Sequence, residues 1–276
     1  MLSGGMSVIL TGRRVYRHSQ TIFRPVPPPL LASALLFSFA PDARAAITEK
    51  LARSYPLPAD GVRRLENVSS DITIEAEKGK EVPIEAEKRD RDPRDLQQIT
   101  IDFEARPGRV AVKTTLAKNP SNRIPGQGSR AAVTYMVRVP RDARFERIAS
   151  VNSSITVQGV RGPVELHAVS GSVRADGLAR DTRLESVNGS ITADVGSLEN
   201  VRSVDLKSVY GQIELTVPKG ANARSDVRTT NGRASVEPAI TLSDSGRRRI
   251  SGEIGMGSGP LLRAETTNCS VTVRER

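Results

Sequence analysis

The sequence predicts an all-β protein of the solenoid type: a parallel β-helix-like stack of coils of about 18–22 residues, with antiparallel hairpins near its N-terminal end. Three observations carry this. The phrase Glu185-Ser-Val-Asn-Gly-Ser-Ile-Thr-Ala-Asp194 recurs in blurred form along the chain. Its copies follow one another at intervals near twenty residues. Aligned, they give columns of like residues, apolar on apolar and small on small, as stacked coils require.

The chain opens with the layout of an export signal over residues 1–45. Arg13, Arg14, Arg17 and Arg24 form a basic start, Leu30–Ala40 is an apolar core, and Ala43-Arg-Ala45 is a small-x-small cleavage site that leaves Ala46 first. The core is too short to cross a bilayer, which takes ~20 residues. Pro25, Pro27, Pro28, Pro29 and Pro41 bracket it and argue against a buried helix. Arg13-Arg14 with Val15-Tyr-Arg17 matches a twin-arginine export motif only loosely. The implied location is the periplasm or the cell surface.

Residues 46–64 read as a polar approach and 65–276 as a single β-repeat domain. Ile72–Lys78 and Val82–Lys88 are near copies that alternate apolar and polar, so they predict an antiparallel hairpin. Ile99–Phe103 and Val110–Leu116, joined through Arg106-Pro-Gly108, predict a second. Ala117–Arg130, rich in Pro and Gly, has no periodicity. Ala132–Val139 is the next strand, closed by Pro140.

Aligned on the small residue of each turn, the copies give Ser70, Ser153, Gly171, Gly189, Gly211, Gly232 and Cys269, with steps of 83, 18, 18, 22, 21 and 37 residues. The last step reads as one degenerate coil. Two residues after the turn stand Ile72, Ile155, Val173, Ile191, Ile213, Ala234 and Val271; five before it stand Leu65, Ile148, Leu166, Leu184, Leu206, Val227 and Ala264. Both columns face a core, where each buried Ile, Leu or Val contributes roughly 1.5–3 kcal/mol. The residue just before the turn is Ser69, Asn152, Ser170, Asn188, Tyr210, Asn231 or Asn268, a column suited to an amide ladder, and three before it stand Asn67, Ser150, Ala168, Ser186, Ser208, Thr229 and Thr266, whose hydroxyls can do the same. The turn residue itself is small in every copy; absence of bulk is the common demand, with positive φ expected in the Gly copies. Gly246–Gly259 reads as a tight connection between coils, since no helix follows the glycines to make a phosphate cradle.

Catalytic and metal-binding signals are sparse. Beyond residue 45 one histidine, His167, and one cysteine, Cys269, remain, too few for a zinc site, and no cofactor is expected. His167 falls in a column of mostly charged residues and points outward. Glu165, Glu185, Asp205 and Glu214 are outward carboxylates that could in principle cleave glycans, but nothing in the spacing pairs any two. The mature chain has no Trp and few aromatics, against both a carbohydrate cleft and specific nucleic-acid binding. The full chain has 41 Lys+Arg against 31 Asp+Glu, a net charge of +10. Arg247, Arg248 and Arg249 are the contact this surplus suggests for an anionic partner.

The phrases Tyr135-Met-Val-Arg-Val-Pro140, the Val-Asn-Gly-Ser-Ile units, and Gly255-Met-Gly-Ser-Gly259 leading to Thr266-Thr-Asn-Cys-Ser-Val271 together resemble the bacterial putative-adhesin family of β-strand-repeat proteins. The resemblance covers residues 62–274 and implies an exported β-helix-like domain with no catalytic residues to carry over. The expected function is therefore a non-catalytic envelope module, structural or adhesive, that contacts an envelope or matrix polymer or another envelope protein. The alternatives are a polysaccharide-active enzyme on the same scaffold and a periplasmic signalling or assembly partner.

Overall fold

A computed structural model describes residues 47–56, 62–67, 71–78, 81–90, 96–97, 99–106, 109–116 and 132–276. The leader reading of residues 1–45, the excursion at 117–130 and Ser70 lie outside the described residues. The strands in chain order are β1 (Ile47–Pro56), β2 (Val62–Asn67), β3 (Ile72–Glu77), β4 (Glu81–Asp90), β5 (Ile99–Arg106), β6 (Arg109–Leu116) and β7 (Ala132–Pro140). The repeat follows as β8 (Arg144–Ser150), β9 (Ile155–Gln158), β10 (Val164–Ala168), β11 (Val173–Leu178), β12 (Thr182–Ser186), β13 (Ile191–Val195), β14 (Ser203–Ser208) and β15 (Ile213–Val217). Last come β16 (Ala223–Thr229), β17 (Ala234–Val236), β18 (Ile240–Ser245), β19 (Arg249–Ile254), β20 (Leu261–Thr266) and β21 (Val271–Glu275).

These form two sheets, neither closed on itself. Sheet I runs β1-β4-β7-β3-β9-β11-β13-β15-β21-β17 and sheet II runs β18-β19-β16-β20-β14-β12-β10-β8-β2-β6-β5. Each coil gives one strand to each sheet, and successive coils pair in parallel. The apolar columns read from the sequence are the register itself: Ile155 pairs Val173, Val173 pairs Ile191, and Ile191 pairs Ile213. In sheet II, Ile148 pairs Leu166, Leu166 pairs Leu184, and Leu184 pairs Leu206. All eight of these side chains are at most 1% exposed. The core thus lies between the sheets and continues from coil to coil.

Four expectations need correction. Ile72–Glu77 and Glu81–Asp90 do not form a hairpin, because β7 lies between them, parallel to β3 and antiparallel to β4. The two segments are alike because both belong to one sheet, and alternation alone cannot say which strands are neighbours. The hairpin β5–β6 does form. Residues 46–64 are more than a polar approach: Ile47–Pro56 pairs antiparallel with β4 along its whole length. Glu49 and Arg53 interrupt its inward face and mask the strand pattern.

The third correction is topological. No coil is degenerate between Gly232 and Cys269: that interval makes the antiparallel pair β18–β19, which covers the edge of β16. The chain then returns and places β20 between β14 and β16, and β21 between β15 and β17. The same interleaving occurs at the other end, where β2–β3 sits between the coils β6–β7 and β8–β9. Gly252, expected in a connection, lies within β19.

The fourth concerns the corners. None of Gly171, Gly189, Gly211 and Gly232 has positive φ; positive φ occurs instead at Gly159, Gly177, Gly220, Gly255 and Gly257. What the corner column needs is close approach. A Cβ on Gly189 would stand 2.0 Å from the Gly171 carbonyl oxygen, and one on Gly211 1.8 Å from that of Gly189. Hydroxyls use this proximity. Ser208 Oγ donates to the Gly189 carbonyl at 3.1 Å and accepts from its own corner N–H, Gly211, at 2.9 Å. Thr229 Oγ1 repeats the pattern with the Cys269 carbonyl (2.7 Å) and the Gly232 N–H (3.0 Å), and Thr266 Oγ1 donates to the Gly211 carbonyl (2.9 Å). The ladder that forms is thus of hydroxyls; the amide column makes one rung, Asn231 Nδ2 to Asn268 Oδ1 at 2.8 Å.

Candidate functional site

The alternation that buries one side of every strand puts charge on the other. Along sheet II the outward row Glu165, Arg183, Asp205, Arg263, Asp226 changes sign at every step. Beside it runs the row Glu66, Ala149, His167, Glu185, Lys207, Glu265, Arg228. Charges pair both along a strand and across coils. Arg183 holds Glu185 through Nη2 at 2.6 Å, Arg228 holds Asp226 at 2.6 Å, and Arg263 stands 3.7 Å from Asp205.

His167 points outward, as expected, and bridges two of the four candidate carboxylates, with Nε2 2.7 Å from Glu165 and Nδ1 3.0 Å from Glu185. Burial raises the Glu185 carboxyl, but the hydrogen bonds and charges of Arg183 and His167 outweigh it and hold the pKa below the ordinary carboxylate value. Asp226 is likewise lowered, with Arg228 and Arg249 outweighing burial. Glu214 lies on the opposite sheet, held by Arg274. With their pKa values lowered, Glu185 and Asp226 are ionised and engaged, not poised as general acids. Cys269 sits three coils from His167, on the corner. Among the described residues no cluster of three or more His, Cys, Asp or Glu could hold a metal.

Of the three candidate arginines, Arg247 and Arg248 form the turn between β18 and β19, and Arg249 opens β19. The turn is docked on the last corner of the stack by the Ala234 N–H to the Arg247 carbonyl (3.0 Å) and the Thr229 N–H to the Arg248 carbonyl (2.8 Å). The structure separates their roles. Arg249 lies between Asp226 at 3.5 Å and Asp244 at 3.6 Å, so its charge is largely neutralised. Arg247 and Arg248 are exposed and have no carboxylate partner among the described residues. The docking brings a residue that the sequence reading missed, exposed Arg233, beside this turn. Its signal was present: the position after the corner is Ser154, Ser172, Ser190, Gln212 or Ser270 in the other described copies, and Arg only here.

Hollows open on the surface among the described residues. One, of about 760 Å³, is at the N-terminal end of sheet II and mixes Arg64, Arg106, Arg109 and Lys113 with Glu66, Asp102 and Glu104. Arg64 is tied to Glu66 at 2.9 Å and Arg109 to Glu146 at 2.7 Å. Another, about 550 Å³, runs along the edge where each coil returns from sheet I to sheet II.

No family model matches the chain, and no curated protein matches it in sequence. Solved structures do match. The chain is similar to a putative cell adhesion protein from Clostridium sporogenes, with 12% identity, TM-score 0.46, and coverage of 83% of this chain and 100% of that one. It is similar to a putative adhesin from Bacteroides fragilis, with 10% identity, TM-score 0.37, and coverage of 83% and 97%. It is also similar to a putative lipid binding protein from Parabacteroides distasonis, with 9% identity, TM-score 0.29, and coverage of 82% and 96%. Two of these three carry the adhesin name that the repeat's resemblance implies. At these scores the likeness carries no argument about function, which rests on this chain's own geometry. Among the described residues no helix is long and apolar enough to cross a membrane.

Proposed function

We propose that this chain is an exported, non-catalytic module of the cell envelope, structural or adhesive, whose stacked coils present a partner with a preformed surface. The observation that carries the reading is the division of charge. On sheet II Glu165, Glu185 and Asp226 are engaged by Arg or His, while Arg233, Arg247 and Arg248 stand exposed on the cap with no carboxylate partner among the described residues. Cations so placed attract an anionic polymer, with an affinity that falls as salt rises. The hydroxyl ladder and dry core make the surface stiff, so little ordering entropy opposes binding.

The test is to immobilise the purified chain, pass over it envelope material from its own cells, and assay an acidic-polysaccharide panel for product release. Retention that weakens with salt, with no product, is expected. Replacing Arg233, Arg247 and Arg248 by Ser should weaken retention; unchanged retention would remove the cap from the contact. Product release abolished by one outward Asp or Glu substitution would establish an enzyme and overturn the reading.

A further inference from the structure

The return-edge groove has a floor of glycines one coil apart, Gly159, Gly177 and Gly196. Turn geometry accounts for two of them, at φ +70° and +77°. Gly196 has no such need. A Cβ there would meet the nearest backbone of Gly177 at 3.5 Å, an ordinary contact, so a side chain would fit, yet the floor is left bare.

Arg141, Arg161 and Arg180 line this floor. The Arg161 N–H donates to the Arg141 carbonyl at 2.6 Å, which places them on adjacent coils, and Arg180 follows one coil further on. None of the three guanidinium groups has a carboxylate partner among the described residues, although Asp142 and Glu199 line the same groove. The contrast lies just outside: Arg202 grips Asp181 through Nε at 2.7 Å and its backbone N–H at 2.7 Å. Here, as on the cap, the arginines stand without a carboxylate among the described residues, and Asp142 and Glu199 line the same groove without pairing to them.

We infer that this groove binds one strand of an acidic polysaccharide. Arg141, Arg161 and Arg180 donate to sugar carboxylates, Asp142 and Glu199 accept from sugar hydroxyls, and the glycine floor lets the rings lie on bare backbone. A ligand must offer both acceptors and donors to satisfy the lining, since a polar group left unmet in a closed contact weakens binding. A polyphosphate or DNA backbone offers acceptors only and is repelled by the two carboxylates. Coils about 4.8 Å apart repeat the donors along the groove, as a polymer requires. This inference rests on the reading of the chain as an envelope-binding module and names the ligand class for a second surface, distinct from the cap.

The probes are oligogalacturonate, the same oligomer with its carboxyl groups reduced to alcohols, and inorganic polyphosphate, each titrated calorimetrically into the purified full chain. Oligogalacturonate should bind and the reduced form should bind about tenfold or more weakly, as expected when charge-assisted bonds are lost. Arg161→Ser with Arg180→Ser should weaken oligogalacturonate about tenfold. Gly196→Leu, which fills the floor without changing charge, should do the same. Neither should alter polyphosphate binding, which Arg247→Ser with Arg248→Ser should reduce. No binding of oligogalacturonate, equal binding of its reduced form, or unchanged affinity in Gly196→Leu at wild-type melting temperature overturns the groove assignment. Retention of envelope material would survive that result, so the two readings fail separately.

Discussion

The corner column makes the sharpest prediction, because the same change at two glycines should have opposite signs. In Gly189→Ala the new Cβ would stand 2.0 Å from the Gly171 oxygen and 2.5 Å from its carbon, against ordinary contact at 3.4 Å and beyond. Both atoms are backbone, so the coils must part locally by about 1.4 Å. That separation breaks or lengthens two bonds that cross the same gap, the Asn188 N–H to the Val169 carbonyl (2.8 Å) and Ser186 Oγ to the Gly171 carbonyl (3.2 Å). At roughly 0.5–1.5 kcal/mol for each bond, with loosened packing of Leu184 and Ile191 added, the loss is about 2–4 kcal/mol. For a chain of this size that is roughly 4–16 °C of melting temperature. Gly196→Ala meets backbone only at 3.5 Å or more and needs no positive φ, so it should be neutral or stabilise by roughly 0.4–1 kcal/mol through the unfolded chain. Urea unfolding of both variants with an unchanged m-value is the assay. Equal midpoints for the two variants, or a Gly189→Ala loss under about 0.5 kcal/mol, would refute close approach as the reason for the glycine column.

Three further outcomes follow from named contacts. Tyr135 is wholly buried, bonded to Thr114 at 2.5 Å, and burial pushes its pKa up to about 12, the Thr114 bond pulling slightly the other way. Only the unfolded chain ionises between pH 10 and 12, so stability present below pH 10 should fall by about 3 kcal/mol on the way to pH 12; Tyr135→Phe should abolish that slope in an alkaline denaturation series. Asp181, Glu185 and Asp226 all have lowered pKa values, with Arg partners outweighing burial. Their contribution is present above the ordinary carboxylate value and is lost as pH falls through the folded one, so melting temperature should hold to about pH 4 and drop below it, less steeply in Asp226→Asn. Deleting residues 261–276 should abolish cooperative unfolding, because β20 and β21 each lie between two coils. A deletion variant that still melts in one transition near the wild-type temperature would contradict the interleaved order.

The sequence carried the columns of the fold better than their order. Ile155, Val173, Ile191 and Ile213 could be aligned by eye because each faces the same environment in its own coil, and the pairing follows that alignment residue by residue. Edge strands were harder. In β1 the inward positions include Glu49, paired with Lys88 at 3.6 Å, and Arg53, stacked over Phe103 at 5.1 Å. Alternation fails where a strand borders solvent, so Ile47–Pro56 reads as polar. The binding surfaces were least legible. Arg247–Arg249 was visible as a run, but which of its charges is free depends on Asp226 and Asp244. The groove is assembled from Arg141, Arg161 and Arg180, whose spacing of 20 and 19 residues means nothing until the coils are stacked.

Why the last coil in sequence is not the last in space has a physical reading in the same terms. Coils β16–β17 and β20–β21 carry equivalent columns, Val227 and Ala264 in one and Ala234 and Val271 in the other, so local preference cannot choose between them. The surroundings can. Whichever coil is outermost exposes a strand edge, and an uncovered edge invites pairing with other chains. In the observed order β16 is covered by β19, which follows it in the chain through Gly232 to Arg249 and pairs along Ala223–Arg228. Placing the final coil inside gives both its strands two neighbours, Leu262 and Ala264 are then 1% and 0% exposed, and the ragged end is left to a hairpin whose outer strand is exposed and polar. The N-terminal end makes the same choice, with β2–β3 inside and β4 and β5 as antiparallel covers on the two sheets. Swapping the order of the two C-terminal coils by circular relinking should therefore yield a chain that self-associates through sheet II, detectable by light scattering at concentrations where the natural order stays dispersed.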